Sequence, residues 1–202
     1  MHRSAFLARM SIGLACGTLA VGIGVANSHA RSARVQTDEL PLIGSRLNGS
    51  EFTRNCPDNH VLTGFRYRAG LVLDAIAIKC RPVRLDGTLG AEILSGSFAG
   101  GDGGTLASKS CPANSVIASQ WGFGAPGTGV AILRVHCYQW SAATFKWGGT
   151  GEDLRVLGPI LPTSTSTSAD TKKCTYASRP AMGIRGRQGA IIDAVGLVCN
   201  TH

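Results

Sequence analysis

The side chains able to do chemistry in this sequence are few and scattered. Glu152 and Asp153 form an adjacent carboxylate couple in a glycine-rich stretch. Glycoside hydrolysis needs two carboxylates facing each other across the bond. Neighbours on a strand point to opposite faces, so this couple reads as solvated loop acids. Histidine offers general-base or metal chemistry. His60, His136 and His202, the three beyond residue 30, lack H-E-x-x-H spacing and any close partner histidine. Each reads as a surface or locally hydrogen-bonded ring. Gly122-Phe123-Gly124-Ala125-Pro126-Gly127 satisfies G-x-G-x-x-G, but a dinucleotide fingerprint needs a strand before it, a helix after it and an acid some twenty residues on. Pro126, Gly127 and Gly129 deny the helix, which leaves a turn. No Gly-x-Ser-x-Gly elbow occurs. Trp140 and Trp147 offer faces for a sugar ring, or serve as core or rim aromatics. With no opposed acid pair and no nucleophile beside a base, the sequence points away from an enzyme and calls for neither cofactor nor metal.

Cysteine gives the clearest pattern. Beyond residue 30 there are six: Cys56, Cys80, Cys111, Cys137, Cys174 and Cys199. They form couples separated by 24, 26 and 25 positions, which begin 55 and 63 residues apart. Six cysteines permit fifteen pairings, and the threefold spacing selects 56–80, 111–137 and 174–199. Zinc is the competing chemistry, but no couple has a short C-x-x-C spacing.

Aligned on the second cysteine of each couple, residues 64–80 match residues 183–199 without a gap. The shared residues are Gly64/Gly183, Arg66/Arg185, Arg68/Arg187, Gly70/Gly189, Asp74/Asp193, Ala75/Ala194 and Cys80/Cys199. The central copy keeps Gly127 and Cys137 but has Ala125 at the second arginine and Ala131 at the aspartate. Asp74 and Asp193 can cap local amides, pair with Arg68 and Arg187 six residues upstream, or face a ligand. Arg66 and Arg185 read as solvated strand residues.

The elements that position these residues follow from the same alignment. Counting back by two from each cysteine finds Ile78 and Ile76, Val135 and Leu133, Leu197 and Val195. That period marks a strand with one buried face. Turn signals stand at Asn48-Gly49, Asp86-Gly87, Asp102-Gly103 and Gly148-Gly149, and the run from Thr163 to Ser168 reads as an exposed loop. The 27 glycines in 202 residues exclude a helical bundle. Repeats of about 55 residues suffice for four strands each. The expectation is an all-β fold: a β-prism of three four-stranded sheets with a pseudo-threefold repeat and one disulfide within each repeat. A β-trefoil is the alternative, although its spaced Gln-x-Trp is missing because Gln139 and Trp140 are adjacent.

Residues 1–30 read as a secretory signal peptide. Arg3 and Arg9 precede a small, apolar stretch from Ser11 to Ala26, and Ser28 and Ala30 stand at −3 and −1 of a cleavage site. Residues 31–202 are then one three-repeat domain, secreted or periplasmic, with no membrane span. Removal of the leader reduces the formal net charge from +8 to +6, with 18 basic residues against 12 acidic ones. The basic residues are dispersed, which suits solubility or an anionic envelope polymer. No basic stripe interleaved with aromatics points to nucleic acid. Asn48-Gly49-Ser50 is a glycosylation sequon.

The pattern Cys-Pro…Gly-x-Arg-x-Arg-x-Gly-x-x-x-Asp-Ala-Ile…Cys resembles the repeat of the vitelline membrane outer layer protein family, a β-prism with three disulfide-bearing sheets. Residues 186–196 are also similar to the last strands of jacalin-like lectins, which read Gly-Arg-x-Gly-x-x-x-Asp-Ala-Ile-Gly there. The resemblance implies a saccharide site. Its aspartate would accept bonds from sugar hydroxyls, amides of the preceding loop would donate to them, and a glycine-containing loop elsewhere would complete the pocket. Carried over, it comprises Asp193 with Gly189, Ala190, Ile191 and Ile192, and a second site of Asp74 with Gly70, Leu71, Val72 and Leu73. Lectin loops of this type often carry aromatics where Leu71–Leu73 and Ala190–Ile192 stand. The implied function is an exported, non-enzymatic carbohydrate-binding protein, its partner a glycan or cell-envelope polysaccharide. The alternative is a structural component of an envelope or extracellular matrix.

Overall fold

The computed structural model describes residues 37–125, 128–157 and 171–201. The expected signal peptide, the Thr163–Ser168 loop, Gly127 and His202 lie outside them. In chain order the strands are β1 (Thr37–Glu39), β2 (Ile43–Gly44), β3 (Ser50–Asn55), β4 (His60–Ala69), β5 (Leu73–Pro82), β6 (Ile93–Gly100), β7 (Thr105–Ser110), β8 (Ser115–Ala125), β9 (Gly129–Ser141), β10 (Lys146–Leu157), β11 (Lys172–Lys173), β12 (Ala181–Gln188) and β13 (Ile192–Asn200). A single 3-10 turn, Tyr176–Ser178, is the one helical element among the described residues.

Three antiparallel sheets result, ordered β6-β5-β4-β7, β10-β9-β8-β11 and β1-β13-β12-β3, with β2 also pairing β13. This is the expected β-prism rather than a trefoil. β1 and β2 both pair with β13 and are two pieces of one interrupted edge strand. Pro41 lies between them and supplies no N–H to continue a ladder. Each sheet is built around a long hairpin whose strands are those of the aligned repeat: β4–β5, β8–β9 and β12–β13.

The period-two residues face inward. Ile76, Ile78 and Cys80 are fully buried, as are Val135 and Cys199, with Leu133, Cys137, Val195 and Leu197 nearly so. Residues of all three sheets meet in one continuous core that includes Phe65, Leu62, Ile117 and Ile184. The disulfides join Cys56 to Cys80, Cys111 to Cys137 and Cys174 to Cys199, one per sequence repeat, as expected. In space each also fastens a corner. The amide of Cys56 donates to Met182 O on β12, that of Cys111 to Thr63 O on β4, and that of Cys174 to Ala118 O on β8. The first cysteine of each couple thus still belongs to the preceding sheet while its sulfur is bonded to a middle strand of the next.

One turn signal is displaced. Gly148-Gly149 does not end a strand; it lies within β10, where the pairing register with β9 shifts between Gly148 and Glu152. Gly149 takes φ +78° there, so the glycine pair makes a bulge. Gly122 and Gly124 lie in β8, and β9 follows in place of a helix, so the G-x-G-x-x-G match belongs to a hairpin.

Candidate functional site

At one end of the prism the hairpin loops Gly70–Val72 and Gly189–Ile191 each lead into a strand-start aspartate. The loops share a tight conformation: the Gly70 amide donates to Val72 O at 3.1 Å, and the Gly189 amide to Ile191 O at 2.9 Å. The intervening amides, Leu71 and Val72 in one copy and Ala190 and Ile191 in the other, find no acceptor among the described residues. Leu73 and Ile192 are fully buried, so their side chains belong to the core and only their backbone borders the loop. Leu71 is the opposite, 96% exposed at the loop tip.

Each aspartate faces a glycine turn from the neighbouring part of its own sheet. The main-chain oxygen of Asp74 accepts the Gly101 amide at 2.9 Å, and that of Asp193 accepts the Ser45 amide at 2.8 Å. Glycine is required where these turns meet the carboxylates. Gly104 and Gly49 have φ of +67° and +72°, and a Cβ on either would fall within 2.4 Å of the Oδ2 of Asp74 or Asp193. The two sites are therefore one design used twice: a Gly-x-x-x-Asp loop opposed by a left-handed glycine.

The two arginines hold the turns in place. Arg187 donates from Nε to Asn48 O (2.7 Å) and from Nη2 to Gly49 O (2.6 Å), and its Nη1 lies 3.2 Å from Glu51 Oε1. Arg68 Nη1 donates to Asp102 O (3.2 Å) and Gly104 O (3.3 Å). The ion pairs Arg68–Asp74 and Arg187–Asp193, which the spacing of six left open, are not made among the described residues. A strand places residues six apart on the same face, but these lie on opposite arms of a hairpin, and each guanidinium bonds two turn carbonyls instead. The capping role is also absent: no described group donates to either carboxylate. Asp74 Oδ2 is buried without a hydrogen-bond partner, and Asp193 is only 8% exposed.

The sites abut. The Gly100 amide donates to Gln188 Oε1 at 2.6 Å, joining the turn of the first site to the strand that leads into the second. A Cβ on Gly101 would lie 2.3 Å from Ala190 O. A groove of about 930 Å³ starts at Gly70 and Leu71 and runs between edge strands β7 and β10, past Tyr67, Lys109 and Arg155. Among the described residues the central repeat has a half-buried Ala131 at the aspartate position.

The remaining candidates have structural roles. Glu152 and Asp153 are exposed, and Asp153 pairs with Arg134 at 3.6 Å. Trp140 and Trp147 are half-buried rim aromatics whose indole N–H groups donate to Gly87 O and Arg179 O. Arg66 is exposed beside the Phe98 ring, whereas Arg185 is anchored to Glu39 of β1 at 2.9 Å. One row escaped the sequence reading: Ser119 on β8, His136 on β9 and Asp153 on β10 stand side by side in register. Ser119 Oγ lies 2.8 Å from His136 Nδ1. Its residue types suggest acyl transfer, but Ser119 has no exposed surface and lines none of the grooves described here. Burial holds His136 below the usual histidine pKa; Lys173 and Arg134 act the same way and Asp153 opposes them. A nucleophile sealed in a sheet attacks nothing, so the row is a polar crossing of three strands.

Comparison with solved structures places the fold among lectins. Frutapin, a lectin from Artocarpus incisa, superposes with TM-score 0.55 at 14% identity over 82% of this chain and 97% of its own. The artocarpin–mannotriose complex gives TM-score 0.55 at 14% identity over 82% and 98%. A mannose-binding lectin from Champedak gives 0.55 at 14% over 81% and 96%. The likeness extends along almost the whole of each lectin and falls on the jacalin-like side of the sequence resemblance. No protein-family model and no curated protein sequence matches the chain.

Proposed function

We propose that the protein is an exported, non-enzymatic carbohydrate-binding protein with two equivalent sites, one around Asp74 and one around Asp193. The observation that carries this reading is the carboxylate of Asp74: no described group donates to it and its Oδ2 is buried, while the residue itself stays half-exposed beside the loop. Such a group costs about 1–3 kcal/mol unless a ligand supplies donors. Vicinal hydroxyls of a pyranose are donors of that kind, and charged hydrogen bonds to them are about twice as strong as neutral ones. The free amides of Leu71 and Val72, or of Ala190 and Ile191, would donate to the same ring's oxygens. Exposed Leu71 supplies an apolar contact where lectin loops often have an aromatic.

The names of the lectins with the same fold mention mannose and mannotriose, so a mannoside is the first ligand to try. The adjoining groove between β7 and β10 suits a chain of several sugars over a single residue, which accords with an envelope polysaccharide as partner. Export is supported by the leader-like residues 1–30 and by three disulfides, which persist in oxidising compartments. In sequence the cysteine frame also resembles that of the vitelline membrane outer layer proteins. The test is calorimetric titration of the full chain with mannotriose and a panel of oligosaccharides. Two sites per chain are expected for the wild type, one each for Asp74→Asn and Asp193→Asn, and none for the double variant.

A further inference from the structure

We propose that the opposite end of the prism carries a separate site, for an acidic saccharide. β4 rises from His60 towards Gly70 and β5 returns to Pro82, so residues 57–60 and 82–85 lie at the end away from the glycine–aspartate loops. There a groove of about 810 Å³, the size of an ordinary ligand site, is bounded by Asp58, His60, Arg84, Trp140, Phe145 and Arg179. Its chemistry differs from that of the first end, because it combines cations with aromatic rings.

Arg84 is exposed, and among the described residues its guanidinium bonds Thr88 Oγ1, at 3.3 Å. Arg179 donates from Nη1 to Phe145 O at 3.2 Å. Neither makes a close ion pair among the described residues, although Asp86 acts on Arg84 through space and across the shared Thr88 hydroxyl; each guanidinium keeps donors for an anion. Phe145 lines the same groove, 37% exposed, at φ +54°, a conformation that bulky residues rarely adopt. It is over-determined by its surroundings: its amide donates to Ser141 O at 2.9 Å, and Arg179 holds its carbonyl. Its ring meets Trp140 edge-on at 6.3 Å and 88°. Strained residues held this firmly cluster at ligand sites, and the hold keeps Phe145 in the wall of the groove. His60 Nδ1 lies 2.8 Å from Asp58 O. A carbonyl only accepts, so Nδ1 carries the proton and Nε2 is left as an acceptor in the neutral ring.

A ligand that satisfies all of these has an apolar ring face for Phe145, an anionic group for Arg84 or Arg179, and hydroxyls for the Asp58 carboxylate and His60. That is a pyranose bearing a carboxylate, sulfate or phosphate. The +6 charge of residues 31–202 favours its approach. Nothing here depends on the glycan reading of Asp74 and Asp193.

The experiment is titration of the full chain with trigalacturonate and, separately, a sulfated galactan tetrasaccharide free of uronate. Saturable binding of either supports the site, and the better ligand identifies the anionic group. Arg84→Gln with Arg179→Gln is expected to weaken binding at least about tenfold. Because Arg179 also fastens the turn, Phe145→Gly provides the second arm. Glycine relaxes the positive φ, so binding falls while the melting temperature holds or rises. The Asp74→Asn/Asp193→Asn protein is expected to bind the acidic oligosaccharides unchanged. Absence of saturable binding by both, equal binding by the groove variants, loss in the aspartate variant, or capture by anionic phospholipid vesicles in their place overturns the proposal.

Discussion

Replacing Asp74 by Ala separates a carboxylate kept for a ligand from one that holds its own loop. In the ligand-free protein Asp74 Oδ2 is buried and accepts no hydrogen bond, while the turn beside it is fixed by other means. The Gly101 amide bonds the main-chain oxygen of Asp74, which the substitution leaves in place, and Arg68 holds Asp102 O and Gly104 O. Removing the carboxylate relieves a desolvation penalty of about 1–3 kcal/mol and loses some van der Waals contact with Gly103 and Gly104. The net expectation is between no change and a gain of about 1 kcal/mol. For a domain of this size 1 kcal/mol moves the melting temperature by about 2–4 °C. Scanning calorimetry with urea titration should therefore show Asp74→Ala melting at or slightly above the wild type. Asp86 is the control, because its carboxylate accepts from the Thr88 amide (2.9 Å) and hydroxyl (2.7 Å). Asp86→Ala should lower the melting temperature. If Asp74→Ala costs more than about 1 kcal/mol, the carboxylate is a structural cap and the ligand argument fails.

Further outcomes follow from the same geometry. Gly104→Ala and Gly49→Ala place a Cβ within 2.4 Å of an aspartate oxygen at positive φ; each should cost about 1–3 kcal/mol, read by urea denaturation, and abolish binding at its own site. Replacing Cys174 and Cys199 by Ala opens a loop of 25 residues and should cost about 3 kcal/mol on the chain-entropy model, measured against the wild type under non-reducing conditions. The His136 pKa lies below its unfolded value, chiefly through burial, so the unfolded chain protonates first. Stability then falls as pH drops from the usual histidine range towards the folded pKa, and His136→Asn should flatten the urea midpoint between about pH 7 and 5. Burial raises the Glu92 pKa, but hydrogen bonds from Lys79, Ser110 and Thr63 outweigh it and hold the carboxyl below its usual range. That contribution is present above the unfolded carboxylate pKa and lost as pH falls through the folded one, so Glu92→Gln should lose stability at neutral pH and show a weaker acid dependence.

The architecture was legible because the repeat is written in residues that sheets require. Cysteines at matched spacing and aliphatics at period two fixed three hairpins and their buried faces. A gap-free match over 17 residues also carried Gly70–Asp74 and Gly189–Asp193 onto equivalent loops. The facing turns could not be aligned, since Gly100–Gly104 and Gly44–Gly49 differ in length and sequence. They reach their aspartates from the neighbouring strand pair, in the second case from about 145 positions away in sequence. For the same reason Arg68 and Arg187 looked like partners for aspartates six residues on. Sequence distance hides that a hairpin reversal separates them and that turn carbonyls take both guanidinia. The row of Ser119, His136 and Asp153 was invisible because cross-strand register, not spacing, makes neighbours. Gly148-Gly149 misled because glycine pairs serve bulges as well as turns.

The central claim is that two carboxylates at one end of the prism await sugar hydroxyls. Its most direct measurement is the stoichiometry of mannotriose or panel-selected glycan binding to wild-type protein, Asp74→Asn, Asp193→Asn and the double variant, each with an unchanged melting temperature. The account predicts two, one, one and zero sites. Equal binding by all four proteins, or no binding to any glycan of a broad panel, would contradict it.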